Sequence, residues 1–191
     1  MEPNNLIYFV NFFNLNEEYK NKIRAWRNQL FVRDKMINKS IISKEEHEEF
    51  MTNLTKEDMF YLFFFNRRPF GVASLKKVDN INYEYGQYLI NKKDLNSGLG
   101  IIMEYVIYDM FFKNNYDKKI LCRTKISNNK VIKIHNKFGY KDKENIKIKD
   151  ENYLLQEINY NDWVNNKQKI KTTLEKVFKI NLEDVTEWKK N

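Results

Sequence analysis

Ser97-Gly98-Leu99-Gly100-Ile101-Ile102-Met103-Glu104-Tyr105-Val106-Ile107-Tyr108-Asp109-Met110-Phe111-Phe112 sets two glycines directly ahead of a long apolar stretch. Ile101, Ile102, Tyr105, Val106, Tyr108, Asp109 and Phe112 recur at helical intervals, which predicts a central helix. A strand, a glycine-containing loop and a helix in succession leave free backbone N–H groups, and the positive end of the helix dipole, where an anion docks. Residues 89–103 have that layout. Two glycines ahead of a helix also meet the needs of an ordinary tight turn, so the feature alone does not establish an anion site.

Upstream, residues 59–65, 70–78 and 83–90 are short β-rich runs separated by Asn66-Arg67-Arg68-Pro69 and Asp79-Asn80, the pattern of an antiparallel meander. Residues 6–13 (LIYFVNFF) read as a first strand. Asn16 is placed to cap a helix with Glu17 and Glu18 in its first turn, Tyr19, Ile23, Trp26 and Leu30 forming its buried face and Arg27 at the edge. Ser43-Lys44-Glu45-Glu46 is a capping box, followed by His47, Phe50, Met51 and Leu54 at helical spacing. Downstream come a strand at 120–124, a helix at 128–138 ended by Gly139, two pairing strands at 140–148 and 152–160, and a last helix beyond Asp162 marked by Trp163, Ile170, Leu174 and Val177.

Composition bounds the function. The chain has 191 residues, 42% of them apolar and 15% aromatic, far too much packable surface for a disordered chain. No apolar run approaches a membrane span and no leader-like segment opens the sequence, so a soluble, cytoplasmic protein is expected. One cysteine, Cys122, excludes an intramolecular disulfide framework, and two histidines give no zinc-type spacing; no metal is expected. The net charge of +8 is spread among acidic residues rather than clustered, so nucleic acid is not the expected partner. Cys122 reads as a small buried hydrophobe, with neither His nor Asn expected beside it.

A second segment, Asn128-Asn129-Lys130-Val131-Ile132-Lys133-Ile134-His135-Asn136-Lys137-Phe138-Gly139-Tyr140, makes the pattern recognisable. With Gly98-Leu99-Gly100 it resembles the cofactor half of the GNAT acetyltransferases, in which an Asn opens a helix closed by a Gly-Phe-like ending. Trp26-Arg27-Asn28, Met36, the Ile-Ser-x-x-x-His of Ile42-Ser43 to His47, and Gly71-Val72-Ala73-Ser74 extend the likeness to the N-acetyltransferases of pseudaminic acid biosynthesis. The resemblance covers residues from about 6 to 160 and implies an α/β (α+β) GNAT fold, with a mixed sheet of about seven strands, the fourth and fifth splayed, and about four flanking helices. Residues 1–160 are the expected acetyltransferase domain and 161–191 a C-terminal helical appendage.

The same resemblance implies a reaction, in which acetyl-CoA gives its acetyl group to the amine of a UDP-linked 4-amino-4,6-dideoxy sugar. Ser97, Gly98, Leu99, Gly100 and Ile101 would hold the pyrophosphate, Asn128 the pantetheine region, and Lys130 would also contact the cofactor. Arg27, Met36, His47, Lys77 and Tyr88 would line the nucleotide-sugar pocket. A guanidinium at Arg27 suits a phosphate because its planar fork donates two parallel hydrogen bonds.

Two positions depart from the family pattern. Leu95 stands where a side-chain phosphate donor is usual, and His135 where the family has the Tyr that protonates the thiolate. An imidazolium of pKa about 6.5 is chemically able to protonate a thiolate of about 8.5; the alternative is a helix histidine without a catalytic task. Glu84 is the acidic residue placed to take the amine's proton, unless it is an outward strand carboxylate. A protein N-terminus or polyamine as acceptor, a non-catalytic CoA-binding module and a nucleic-acid-binding module are the other readings, and a homodimer is left open.

Overall fold

The change of period at Met59 is where the chain passes from helix to sheet. The strands are β1 (Ile7–Asn11), β2 (Met59–Phe65), β3 (Arg68–Lys77), β4 (Asn82–Leu89), β5 (Lys119–Lys125), β6 (Lys141–Ile148), β7 (Glu151–Asn159) and β8 (Thr186–Glu187). The helices are α1 (Glu17–Arg27), α2 (Leu30–Arg33), α3 (Lys44–Thr52), α4 (Leu99–Phe112), α5 (Asn129–Phe138) and α6 (Tyr160–Phe178). In the computed structural model, which describes residues 5–188, the strands form one mixed eight-stranded sheet in the order β6-β7-β5-β4-β3-β2-β1-β8. The eighth strand goes beyond the expected seven.

The chain divides into two compact units, residues 5–74, 87–103 and 183–188 in the first and 75–86 and 104–182 in the second. In the first, β1 pairs antiparallel with β2, Ile7 opposite Phe65 and Asn11 opposite Tyr61. Alternation along β2 sends Leu62 and Phe64 into a core with Val10, Phe12, Leu15, Ile23 and Val72, while Phe63 stacks on Phe9 at the opposite face. Asn16 caps α1 through Tyr19 N, 2.9 Å away.

The helix ends sooner than its apolar spacing suggests. Asn28 clamps the backbone of Ile42 in both directions, donating to its carbonyl and accepting from its amide, each at 2.9 Å. Leu30 consequently falls on a separate short helix and is 66% exposed, not part of the buried face. Val177 of α6, expected inside, is likewise exposed.

At α3 the expected capping box is complete, with Glu46 N donating to Ser43 Oγ at 3.1 Å and Ser43 N to Glu46 Oε2 at 2.7 Å. Ser43→Ala is therefore expected to cost about 1 kcal/mol of stability, read by urea denaturation; an unchanged midpoint would mean that α3 does not need its cap.

In the second unit β5 alternates, burying Ile120, Cys122 and Thr124, and pairs antiparallel with β7, which pairs antiparallel with β6. β5 also pairs in parallel with β4, but the register covers only Asn82–Lys119, Tyr83–Ile120 and Glu84–Leu121. α5 closes in a Schellman turn: Gly139 at φ +99° donates to Asn136 O and Tyr140 N to His135 O. A Cβ at Gly139 would lie 2.6 Å from Asn166 Nδ2 and 2.9 Å from Asp162 O, so the absent side chain also admits α6. Trp163 of α6 is 1% exposed, stacked on Phe138 and edge-on to Tyr105 and Tyr108.

Candidate active site

In the first unit, the turn ahead of α4 is anchored by Asp94, whose buried carboxylate takes a bidentate pair from Arg68 at 2.6 and 3.0 Å. Asp94 O accepts from both the amide and the hydroxyl of Ser97. Ser97 Oγ in turn accepts from Leu99 N at 3.2 Å, capping the helix, and Ile101 N is taken by Gly98 O. Among the described residues, the amides of Gly98 and Gly100 are left without a hydrogen-bond partner. They are unpaired donors at the positive end of a 14-residue helix.

The two glycines answer different needs. Gly98 sits at φ +88°, which the backbone of this turn demands. Gly100 has no such constraint: a Cβ there would come no closer than 3.6 Å to Gln87 Nε2, an ordinary contact.

Arg27, also in the first unit, is half-buried at the edge of the buried face of α1. Its Nη2 donates to Asn38 O at 2.7 Å, while Nη1 is buried with no partner. Burial draws the guanidinium below the usual arginine range, and Tyr88 lies close enough to act on it; burial likewise raises the Tyr88 phenol. Met36 sits on the same chain segment, its amide bonded to Arg33 O. His47 is buried and its Nε2 meets Lys20 O at 2.7 Å, tying α3 to α1. Lys77, exposed at the end of β3, belongs to the second unit.

In the second unit, Asn128 precedes α5 without making a side-chain cap, and Lys130 is exposed. Glu84 is held by Arg123, Nε to Oε1 at 2.5 Å and Nη2 to Oε2 at 2.6 Å. Both carboxylate oxygens are thus engaged.

His135 lies at the centre of a buried polar cluster with Glu104 and Gln156, each no more than 1% exposed. Its Nδ1 is 2.8 Å from Gln156 Oε1. Gln156 Nε2 donates to Asn136 Oδ1 and Asp142 Oδ1 at 3.1 and 2.8 Å, which orients the amide and makes Nδ1 the protonated ring nitrogen. His135 Nε2 then faces Glu104 Oε1 at 3.6 Å and Cys122 Sγ at 3.9 Å. Burial lowers His135 to about 4 against the Gln156 hydrogen bond, and raises Glu104 to about 8 against its bond from Tyr108. The ring is therefore neutral at neutral pH.

Cys122 does have a histidine beside it, contrary to expectation. Burial pushes its thiol up to about 12, so it stays protonated. Glu104, Tyr108, Tyr140 and Gln156 were not among the site residues expected from sequence. The signal available for Glu104 was a single carboxylate inside an otherwise apolar helix, whose residues 102–108 are all buried.

No family model and no curated protein matches this sequence. Solved structures do. An aminoglycoside acetyltransferase AAC(6')-Ib in complex with coenzyme A aligns with a TM-score of 0.67 at 15% identity, over 84% of this chain and 98% of that one. The fold is that of the GNAT acetyltransferases. The GNAT likeness recurs in spermidine N-acetyltransferase from Vibrio cholerae, in complex with CoA and spermine, with a TM-score of 0.71 at 12% identity, over 83% of this chain and 98% of that one. The Campylobacter jejuni N-acetyltransferase PseH aligns with a TM-score of 0.59 at 19% identity, over 81% and 98%. Among the described residues, no group of three or more His, Cys, Asp or Glu could hold a metal ion.

Proposed function

We propose that this protein transfers an acetyl group from acetyl-CoA to an amine, with the N-terminus of α4 holding the pyrophosphate of CoA. The carrying observation is the pair of unpartnered amides at Gly98 and Gly100, the second at a glycine that the backbone does not require. Structures of the same fold carrying CoA support the cofactor. Leu95 is 47% exposed and offers no donor, so backbone amides supply the anion contacts. The Asn128 amide, uncommitted as a cap, suits the pantetheine role that the sequence resemblance implies.

The acceptor in this proposal is a nucleotide-linked amino sugar, the UDP-4-amino-4,6-dideoxy class. Arg27 supports it, because a buried guanidinium nitrogen without a partner is costly unless an anion completes it. The chemistry is direct attack of the neutral amine on the thioester, favoured by holding the two in register.

Gly100→Ala separates the functional glycine from a structural one. The variant is expected to fold with unchanged or slightly raised stability, since alanine in a helix is about 0.5–1 kcal/mol better than glycine. It should nonetheless weaken CoA binding at least about tenfold in calorimetric titration, about 1.4 kcal/mol. Equal affinity would remove this turn from the cofactor site, and absence of CoA binding by the wild type would overturn the acetyltransfer reading. Turnover of acetyl-CoA with UDP-4-amino sugars, spermidine, an aminoglycoside and a peptide N-terminus then tests the acceptor. Preference for an amine lacking phosphate would overturn the nucleotide-sugar assignment alone.

A further inference from the structure

We propose that Glu104 and His135 hold one exchangeable proton between Oε1 and Nε2 and act as the proton relay of the acetyl transfer, with Gln156 as the positioning residue that fixes the imidazole. The inference rests on the acetyltransfer reading and adds to it Glu104 and Gln156, which neither the motifs nor the resemblance supplies.

The geometry carries it. Glu104 Oε1 is buried and has no hydrogen-bond partner. It faces the unprotonated ring nitrogen, because the imidazole proton sits on Nδ1 and is donated to Gln156 Oε1; Cys122 Sγ is the other group near that nitrogen. A buried carboxyl oxygen without a partner is costly, and a proton moved between these two atoms relieves that cost in either position.

The cluster also has two ends. Inward, Cys122 Sγ bridges His135 Nε2 and Tyr85 O, at 3.9 and 4.0 Å. Tyr85 is the first β4 residue beyond the last β4–β5 pair, Glu84–Leu121, so the relay meets the sheet where the two strands cease to pair. Outward, Gln156 reaches Asp142 on the exposed start of β6.

Tyr85 of β4, Tyr108 of α4, Cys122 of β5 and Tyr140 ahead of β6 surround Glu104, and Tyr108 and Tyr140 share a hydroxyl–hydroxyl bond. Burial raises all four, so they stay neutral. Glu84 and Arg123 act on the cluster only through Cys122.

The transfer needs such a device. The amine nitrogen attacks the thioester carbon, the C–N bond forms, the C–S bond breaks and its electron pair goes to sulfur. Nitrogen must lose one proton and sulfur must gain one. Glu104 releases its proton through His135 toward the thiolate and the pair recovers one from the nitrogen. The pair ends as it began, and no co-reactant is consumed. A carboxyl near 8 is closely matched to a thiol of about 8.5.

Nitrogen-15 NMR of His135 in the wild type at pH 7 should show Nδ1 protonated and Nε2 not; an imidazolium or the opposite tautomer overturns the relay. Glu104→Gln should lower kcat about tenfold or more, leave KM for acetyl-CoA unchanged and remove the alkaline limb of the kcat profile near pH 8. CoA binding and turnover that are indifferent to Glu104→Gln, in kcat and in pH profile, overturn the relay alone. A wild type that binds no CoA, or acetylates no amine, overturns the relay together with the reading on which it rests.

Discussion

Trp163→Ala is expected to lower the unfolding free energy by about 3–5 kcal/mol, the usual cost of truncating a fully buried aromatic. The side chain is 1% exposed. It stacks on Phe138 with ring centroids 5.8 Å apart and meets Tyr105 and Tyr108 edge-on at 5.1 and 5.9 Å. Removing it leaves a void bounded by helices α4, α5 and α6 of the second unit, and Gly139, already crowded by Asp162 and Asn166, gives α6 little room to sink into it. Urea denaturation measures the loss. A cost below about 1 kcal/mol would mean that α6 is a peripheral attachment rather than part of this core.

Unfolding stability should also fall by about 1 kcal/mol as pH rises from 6.5 to 8. Burial raises Glu104 from 4.5 to about 8 and lowers His135 from 6.5 to about 4. The folded chain keeps a carboxyl proton that the unfolded chain sheds, so that contribution is complete below pH 4.5 and disappears as pH climbs toward 8. The folded chain also refuses an imidazole proton that the unfolded chain accepts; that contribution is complete above pH 6.5 and disappears as pH falls toward 4. Between 4.5 and 6.5 each state holds one proton on the two groups, and the slopes cancel. Above 6.5 the folded state increasingly holds it alone, and stability declines until the folded carboxyl itself ionises near 8. In Glu104→Gln the alkaline slope should vanish and an acidic slope between pH 6.5 and 4 should emerge. Denaturation midpoints unchanged from pH 6 to 8 in the wild type would contradict the raised carboxyl.

The local devices were legible because their signals are local. Asn16, the Ser43–Glu46 box and Gly139 are each read within a few residues, and each is found in place. The alternation of β2 and β5 follows from period two alone. What escaped depends on distant partners. Nothing around Asn28 announces that its amide will bind Ile42 and end α1. Two residues at 186–187 are too few to show a strand pattern, so β8 was unread. The Cys122–His135 meeting needs the placement of α5 against β5, and Asp94, which anchors the glycine turn, finds its partner at Arg68 on another strand. At the site, the glycines were visible in sequence, but which amides remain free after Ser97 and Gly98 take theirs was not.

Tyr8 of β1 lies opposite Thr186 of β8. One flank of β1 therefore waits for a partner synthesised much later in the chain. Until then a run of Ile7, Tyr8, Phe9 and Val10 presents unpaired backbone groups, a template on which another nascent chain can add a strand. Expression at reduced translation rate lengthens that interval, and aggregation during synthesis should increase with it.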